Sequence, residues 1–382
     1  MSRSRQLAVF LALGALGAAA TSDQPAPAPR PRIAMLWSPA ANLKEERLAN
    51  WAKHSVIVVG IEDIGLEWTR EPFPAMAETI RSDTIPQARD NLERLRQLNP
   101  AAVVLCEVYF FEENDRGYPP DHPWWLRDKN GRKSQFWPGT HQMDLSNPEY
   151  VAHIARRIGA IRQAAGAAAG VFLDNLRFEP ESKAAWISLL KQARRSCGPD
   201  MPILVNAGWD SDDLAWVCPY VNGIMYEDSV AHTADKDTEA FYARIAQSDK
   251  QIPSPRISVN ERFGKRADLP RMSRELLRTL VYTDMAFLYS DSTNGHKHDW
   301  HALWDAPLGR PLGDPVQPQP GQLARREFSG GCVLWLPDAA PQPVTVKLPK
   351  PMRDEIGGAT TQTLTLKPGS GALLTAAAPS NP

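Results

Sequence analysis

The chain has few cysteines and no one-sided charge. Four Cys occur in 382 residues, and none forms a Cys-x-x-Cys pair, so a zinc site of that spacing is excluded. Lys plus Arg number 43 against 44 Asp plus Glu, a net charge of -1, so no basic field points to nucleic acid or to an anionic membrane. No Gly-rich phosphate turn follows an early strand-like segment, which argues against a dinucleotide-binding open sheet. Beyond the first twenty residues no apolar run is long enough to cross a bilayer. Those first residues are different. Arg3 and Arg5 precede an apolar stretch from Leu7 to Ala20 that ends in small residues, the pattern of a cleavable secretory signal over 1–20. A Pro/Ala linker over 21–32 follows. The expectation is a secreted or periplasmic protein that is free of the membrane after cleavage, binds no nucleic acid and works as a monomer.

What is present is a recurring unit. Short apolar segments fall at Ile33–Trp37, Val56–Gly60, Ala102–Cys106, Gly170–Leu173, Pro202–Val205, Val221–Tyr226, Arg256–Val259 and Met285–Ser290. Runs with helical spacing lie between them: Gln87–Leu98, Glu149–Ile161, Ser182–Arg195, Thr238–Ala246 and Arg271–Val281. Asn147-Pro148 reads as an N-cap followed by proline in the first turn. Strand followed by helix, repeated in this way, predicts an α/β fold of the (β/α)₈ TIM-barrel type over 33–312. From 313 to 376 the pattern changes to short alternating strands, with Arg326–Leu336 read as one strand interrupted by Gly-Gly, and predicts a small antiparallel β-domain. The Ala/Pro tail, 377–382, is expected to lack structure.

In a parallel barrel, ligands bind at the carboxyl ends of the strands. In this sequence those ends carry Trp37, Glu107 with Tyr109, Asp174, Asn206, Glu227, Glu261 and Asp291. A mouth lined with carboxylates and aromatic rings suits carbohydrate, since acids bond hydroxyls and flat rings stack on sugar faces. Glycoside hydrolysis requires two carboxyl groups across the scissile bond. Asp174, where Gly170-Val-Phe-Leu turns polar, is the candidate nucleophile or base, and Glu227 the candidate general acid. Asp228 is the neighbour that competes with Glu227 for that role, and Arg177 is the partner of Asp174 if that acid serves structure alone. The long segment after the third strand contains His122-Pro-Trp-Trp-Leu126. Trp124 and Trp125 are candidate sugar platforms, with at least one expected to anchor the loop instead. Trp37, Glu107, Tyr109, Asn206, Glu261 and Asp291 are candidate substrate-binding residues.

The pieces Val-Phe-Leu-Asp174-Asn, Asn206-Ala-Gly, Ile-Met-Tyr-Glu227 and His-Pro-Trp-Trp-Leu resemble a hypothetical bacterial glycoside hydrolase family of TIM-barrel type, distantly like the polygalactosaminidase-type barrels. The resemblance covers about residues 31 to 375. It implies a hydrolase of poly- or oligosaccharides that needs no cofactor and uses the Asp after strand four and the Glu after strand six. Two other readings stay open: a glycan-binding barrel without chemistry, and a metal-dependent hydrolase that uses His296, His298 and His301. A Cys197–Cys218 disulfide between neighbouring units is also expected.

Overall fold

The computed structural model describes residues 30–176, 183–208, 214–228, 238–291, 293 and 295–377. The expected signal segment, the linker up to 29, Arg177 and the tail from 378 lie outside the described residues. In chain order the barrel strands are β1 (Ala34–Leu36), β2 (Val56–Val59) and β3 (Val103–Glu107). A loop hairpin, β4 (Glu112–Asn114) and β5 (Thr140–Gln142), comes next. The barrel resumes with β6 (Ala169–Leu173), β7 (Ile203–Asn206), β8 (Gly223–Glu227), β9 (Val259–Phe263) and β10 (Ala286–Ser290). The eight barrel strands pair in parallel in the order β1-β2-β3-β6-β7-β8-β9-β10. A parallel bridge between Ile33 and Phe287, with Phe287 N donating to Arg32 O at 2.8 Å, joins the last strand to the first. The (β/α)₈ expectation therefore holds.

The strands are apolar on both faces because helices cover the outside and side chains fill the inside. Ala34, Leu36, Val56, Val58, Leu105, Phe172, Leu204, Met225, Val259, Ala286 and Leu288 form the inner cluster. Gly170 is required at its place: a Cβ there would stand 2.3 Å from Pro202 O and 2.6 Å from Leu105 Cδ2. Helices follow at Arg47–Trp51, Ile85–Leu98, Pro148–Ala165, Lys183–Cys197, Thr238–Lys250 and Leu269–Tyr282. Asn147 caps Pro148–Ala165, its Oδ1 accepting from Glu149 N (3.0 Å) and Tyr150 N (3.4 Å). Among the described residues, the β7–β8 connection and the segment after β10 show single 3-10 turns, Cys218–Tyr220 and Ala302–Asp305, in place of longer helices.

Two expectations about strands are corrected. The seventh barrel strand is Val259–Phe263, not Arg256–Val259. Pro253 and Pro255 supply no N–H and leave the preceding stretch as a connection. Val-Asn-Glu-Arg-Phe does not look like a buried strand because its three polar residues are buried in pairs. Arg326–Leu336 is a hairpin of two strands, β11 (Ala324–Phe328) and β12 (Gly331–Leu336). With β13 (Val344–Asp354), β14 (Thr360–Leu366) and β15 (Ser370–Ala376) they form an antiparallel sheet in the order β11-β12-β15-β13-β14. Val333, Trp335 and Leu373 on one face join the barrel's outer core, while Cys332, Leu334 and Leu374 on the other build a core of their own. The Cys197–Cys218 disulfide does not form. All four cysteines are free and buried. The Cys218 thiol donates to Leu214 O and Ser248 O, both at 3.4 Å. Burial pushes the Cys197 and Cys218 thiols up to about 12 and about 11, so each stays protonated.

Candidate active site

Side chains on a strand alternate, so the residue two places beyond an inward apolar residue also points inward. Applied to the inner cluster, the rule gives Glu107 after Leu105, Asp174 after Phe172, Asn206 after Leu204, Glu227 after Met225, Glu261 after Val259 and Ser290 after Leu288. These six form one polar layer on top of an apolar barrel interior.

Asn206 is the hinge of that layer. Its Nδ2 donates to Asp174 Oδ1 and to Glu227 Oε2, each at 2.8 Å. Gly208 N–H donates to Asn206 Oδ1 at 2.7 Å, which fixes which end of the amide is nitrogen. Asp174 Oδ2 also accepts from Asn175 Nδ2 at 3.1 Å. On one flank, Trp37 Nε1 donates to Glu107 Oε2 at 2.7 Å. On the other, Glu261 is fully buried and accepts from Ser290 Oγ and from His296 Nδ1, the latter at 2.8 and 3.0 Å to its two oxygens. His296 stands edge-on to the Trp37 ring, with centroids 4.8 Å apart, so the two flanks meet.

The electrostatics follow from burial of many acids around one cation. Burial, with the Asp174 charge second, raises the Glu107 carboxyl to about 7. Burial, with the Glu261 charge second, raises Glu227 to about 7. Burial also raises Asp174, opposed by the Asn206 hydrogen bond. Burial pushes the His296 imidazole down, but the Glu261 carboxylate outweighs it, with Glu227 and Asp174 beyond, and carries the ring to about 9. At neutral pH His296 is therefore a cation. Carboxyls poised near neutrality in a strand-end cluster are the feature expected of acid–base sites. Glu227, Glu261 and His296 place ligand atoms within 4.8 Å of one another, close enough to hold an ion.

Four non-glycine residues among those described have positive φ: Trp37 (54°), Asn175 (57°), Asp228 (45°) and His296 (61°). Three directly follow β1, Asp174 and β8, and the fourth is in the loop after β10. Such conformations cost about 1–3 kcal/mol each and persist where the surroundings impose them. All four border the same polar layer.

Residues 107–332 match the model of hypothetical glycosyl hydrolase family 15. The chain belongs to this family. A search of curated proteins finds no match to it. Among solved structures, Eubacterium rectale Amy13B aligns at a TM-score of 0.53 and 9% identity, covering 92% of this chain and 96% of that one. A noncanonic maltogenic α-amylase, AmyB, from Thermotoga neapolitana aligns at 0.52 and 12%, covering 90% and 98%. An α-amylase from Lactobacillus plantarum gives the same figures as AmyB. At these identities the likeness speaks for the barrel fold alone.

In this member of hypothetical glycosyl hydrolase family 15 the remaining sequence candidates separate clearly. Trp124 and Trp125 are buried anchors, not platforms. Trp124 packs on Tyr150 and His153, and Trp125 Nε1 donates to Pro119 O at 2.8 Å. Two adjacent indoles cover too much apolar surface to stay in water. Trp137 is the exposed indole of that loop. Tyr109 is partly exposed, and its hydroxyl donates to Glu112 Oε1 at 3.1 Å. Asp291 braces a loop: its Oδ1 accepts from Thr293 N (2.9 Å) and Thr293 Oγ1 (2.7 Å), outside the polar layer. Asp228 turns away from Glu227 to meet Arg262.

The three-histidine metal reading is also corrected. His298 is fully buried, its Nε2 3.0 Å from His54 Nε2, and burial holds it down at about 4. His301 is buried elsewhere, beside Trp304. Only His296 reaches the acids. Its two companions in the sequence, His298 and His301, face other partners, and nothing local along the chain tells His296, which faces Glu261, from them. A cleft of about 610 Å³ between Leu269–Tyr282, the Trp300–Leu303 turn and the C-terminal sheet contains none of the layer's acids. Volume does not locate the chemistry here.

Proposed function

We propose that this protein hydrolyses O-glycosidic bonds of a poly- or oligosaccharide with Asp174 as nucleophile and Glu227 as general acid, retaining the anomeric configuration. The observation that carries the reading is the shared Asn206 amide. The two hydrogens of an amide nitrogen diverge by about 120°, so the two oxygens it bonds at 2.8 Å, one from each carboxyl, stand about 5 Å apart, a spacing that favours the close carboxyls of retaining pairs. Inverting pairs stand wider, by about 6.5 Å or more, to admit a water.

Each group then has a role. Glu227, held protonated into the neutral range, gives its proton to the leaving oxygen as the C–O bond breaks. Asp174 forms the bond to the anomeric carbon. Asn206, Asn175 and the His296 cation favour its ionised form against burial. Glu227, now a carboxylate, takes a proton from water, which attacks the same carbon and frees Asp174. Trp37 and Glu107 shape the pocket around the sugar, and Glu261, fully buried, holds His296 in place. The apolar Leu7–Ala20 segment supports action outside the cytoplasm.

A panel of α- and β-linked polysaccharides, assayed for new reducing ends, tests the reading. Wild type should release sugar and Asp174→Asn should not. Binding without cleavage by both would leave a glycan-binding barrel.

A further inference from the structure

Beyond the polar layer a second set of charges runs outward from Glu227. Asp228, the next residue, has φ 45° and donates its N–H to Glu261 O at 2.9 Å. Its Oδ1 lies 3.1 Å from Arg262 Nη1, and Arg262 Nε lies 3.2 Å from Glu275 Oε2. Glu275 Oε1 accepts from Arg278 Nη1 at 3.0 Å, and Arg278 Nη2 donates to Asp338 Oδ2 at 2.7 Å. The Arg278 guanidinium also covers the Trp335 ring at 4.5 Å. Asp228, Arg262, Glu275 and Arg278 are buried, while the Asp338 side chain is 69% exposed in the turn that follows β12. Acid and arginine alternate without a break from the residue after Glu227 to the second sheet.

Burying such a chain is a costly way to hold two layers together, and apolar residues of similar size would do so at least as well. What the chain adds is direction. Asp228 holds a left-handed turn, and that turn decides how the backbone leaves β8 and hence where Glu227 points. Arg262 meets Asp228 from the next strand, Glu275 meets Arg262 from the helix Leu269–Tyr282, Arg278 of the same helix holds Glu275, and Trp335 of β12 with Asp338 of the following turn holds Arg278. Both contacts of Arg262 are ion pairs and not hydrogen bonds, and its outer partner, Glu275, is in turn hydrogen-bonded to Arg278.

We propose that Arg262, Glu275 and Arg278 are positioning residues for Glu227, and that the C-terminal sheet is through them a working part of the active site. This rests on Glu227 being the general acid.

The test compares paired 2,4-dinitrophenyl and 4-methylumbelliferyl glycosides from one panel of hexoses. Dinitrophenolate leaves without a proton, whereas methylumbelliferone benefits from one. Glu227→Gln should lower kcat/KM for the umbelliferyl substrate by on the order of 10²- to 10⁴-fold and spare kcat/KM for the dinitrophenyl one, while the second step, for which Glu227 is the base, slows for both. Arg262→Met should show the same selectivity in kcat/KM at about tenfold, and Asp338→Asn at about threefold. Asp338→Asn loses an exposed pair, so its melting temperature should stay within about 3 °C of wild type. If Arg262→Met fails to fold, Asp338→Asn and Arg278→Lys decide the matter.

Equal slowing of both substrates by the chain variants, beside a selective Glu227→Gln, overturns the positioning role and leaves a structural strut. A Glu227→Gln enzyme without selectivity overturns the assignment of the acid itself, and the positioning role falls with it.

Discussion

Asn206 Nδ2 stands between Asp174 and Glu227, bonded to both at 2.8 Å. One buried amide thus holds two carboxyls that would otherwise repel each other, and spaces them for chemistry. Asn206→Ala should lower kcat by on the order of 10²-fold, because misplacement of about 1 Å is enough for that. Asn206→Asp should do worse, since a third acid in the same layer repels both neighbours. Steady-state kinetics of the two variants check this. Wild-type kcat in either would remove the bridge from the mechanism.

The spacing that the amide imposes predicts the stereochemistry. The first product released should have the anomeric configuration of the substrate, observable by proton NMR before mutarotation. Inverted product would require a wider pair than the one described.

Activity and stability should both fall with rising pH, for linked reasons. Glu227 and Glu107 sit at about 7 in the fold, above the ordinary carboxylate value of 4.5. Between those limits the folded state holds more protons than the unfolded chain, so stability is greatest near the acid end and is lost as pH rises through about 7. His296, at about 9 against 6.5, contributes stability that is present below 6.5 and lost as pH rises through about 9. Melting temperature measured from pH 5 to 9.5 should decline in two steps. Glu227→Gln should flatten the first and His296→Gln the second. Turnover should fall on its alkaline limb near pH 7 as Glu227 ionises.

The two kinds of tryptophan should separate cleanly. Trp124→Ala empties a packed site and should destabilise by about 3–5 kcal/mol, with KM little changed in protein that still folds. Trp37→Phe keeps an aromatic ring, though a smaller one, but removes the donor to Glu107, and should change kcat with little effect on melting. A large KM effect from Trp124→Ala would restore it as a sugar platform.

Reductant should leave the melting curve in place, because Cys197 and Cys218 are thiols. A disulfide closing so short a loop would be worth about 3 kcal/mol, a shift that calorimetry resolves easily.

Much of the architecture was legible in the amino-acid order. The apolar segments at Val56, Val103, Ala169 and Ile203 announce buried parallel strands because their burial is two-sided and needs no partner beyond packing. Asn147-Pro148 announces its helix because a cap is a local device. Asp174, Asn206 and Glu227 were legible for the same reason: each follows an unmistakable strand, and the pleat alone turns it inward.

What escaped the linear reading depends on partners far along the chain. Val259–Phe263 is a strand although three of its five residues are polar, because Asn260 finds Tyr242 and Thr279, Glu261 finds Ser290 and His296, and Arg262 finds Asp228 and Glu275. His296 belongs with the acids and His298 with His54 for the same reason, and Trp124 is an anchor because Tyr150 and His153 come to meet it. Local order determined the eight-strand barrel and the identity of the acids at its mouth. Only the closed fold decided which neighbour each buried charge or ring would face, since pairing energy depends on distance in space and the chain spells out distance only along itself.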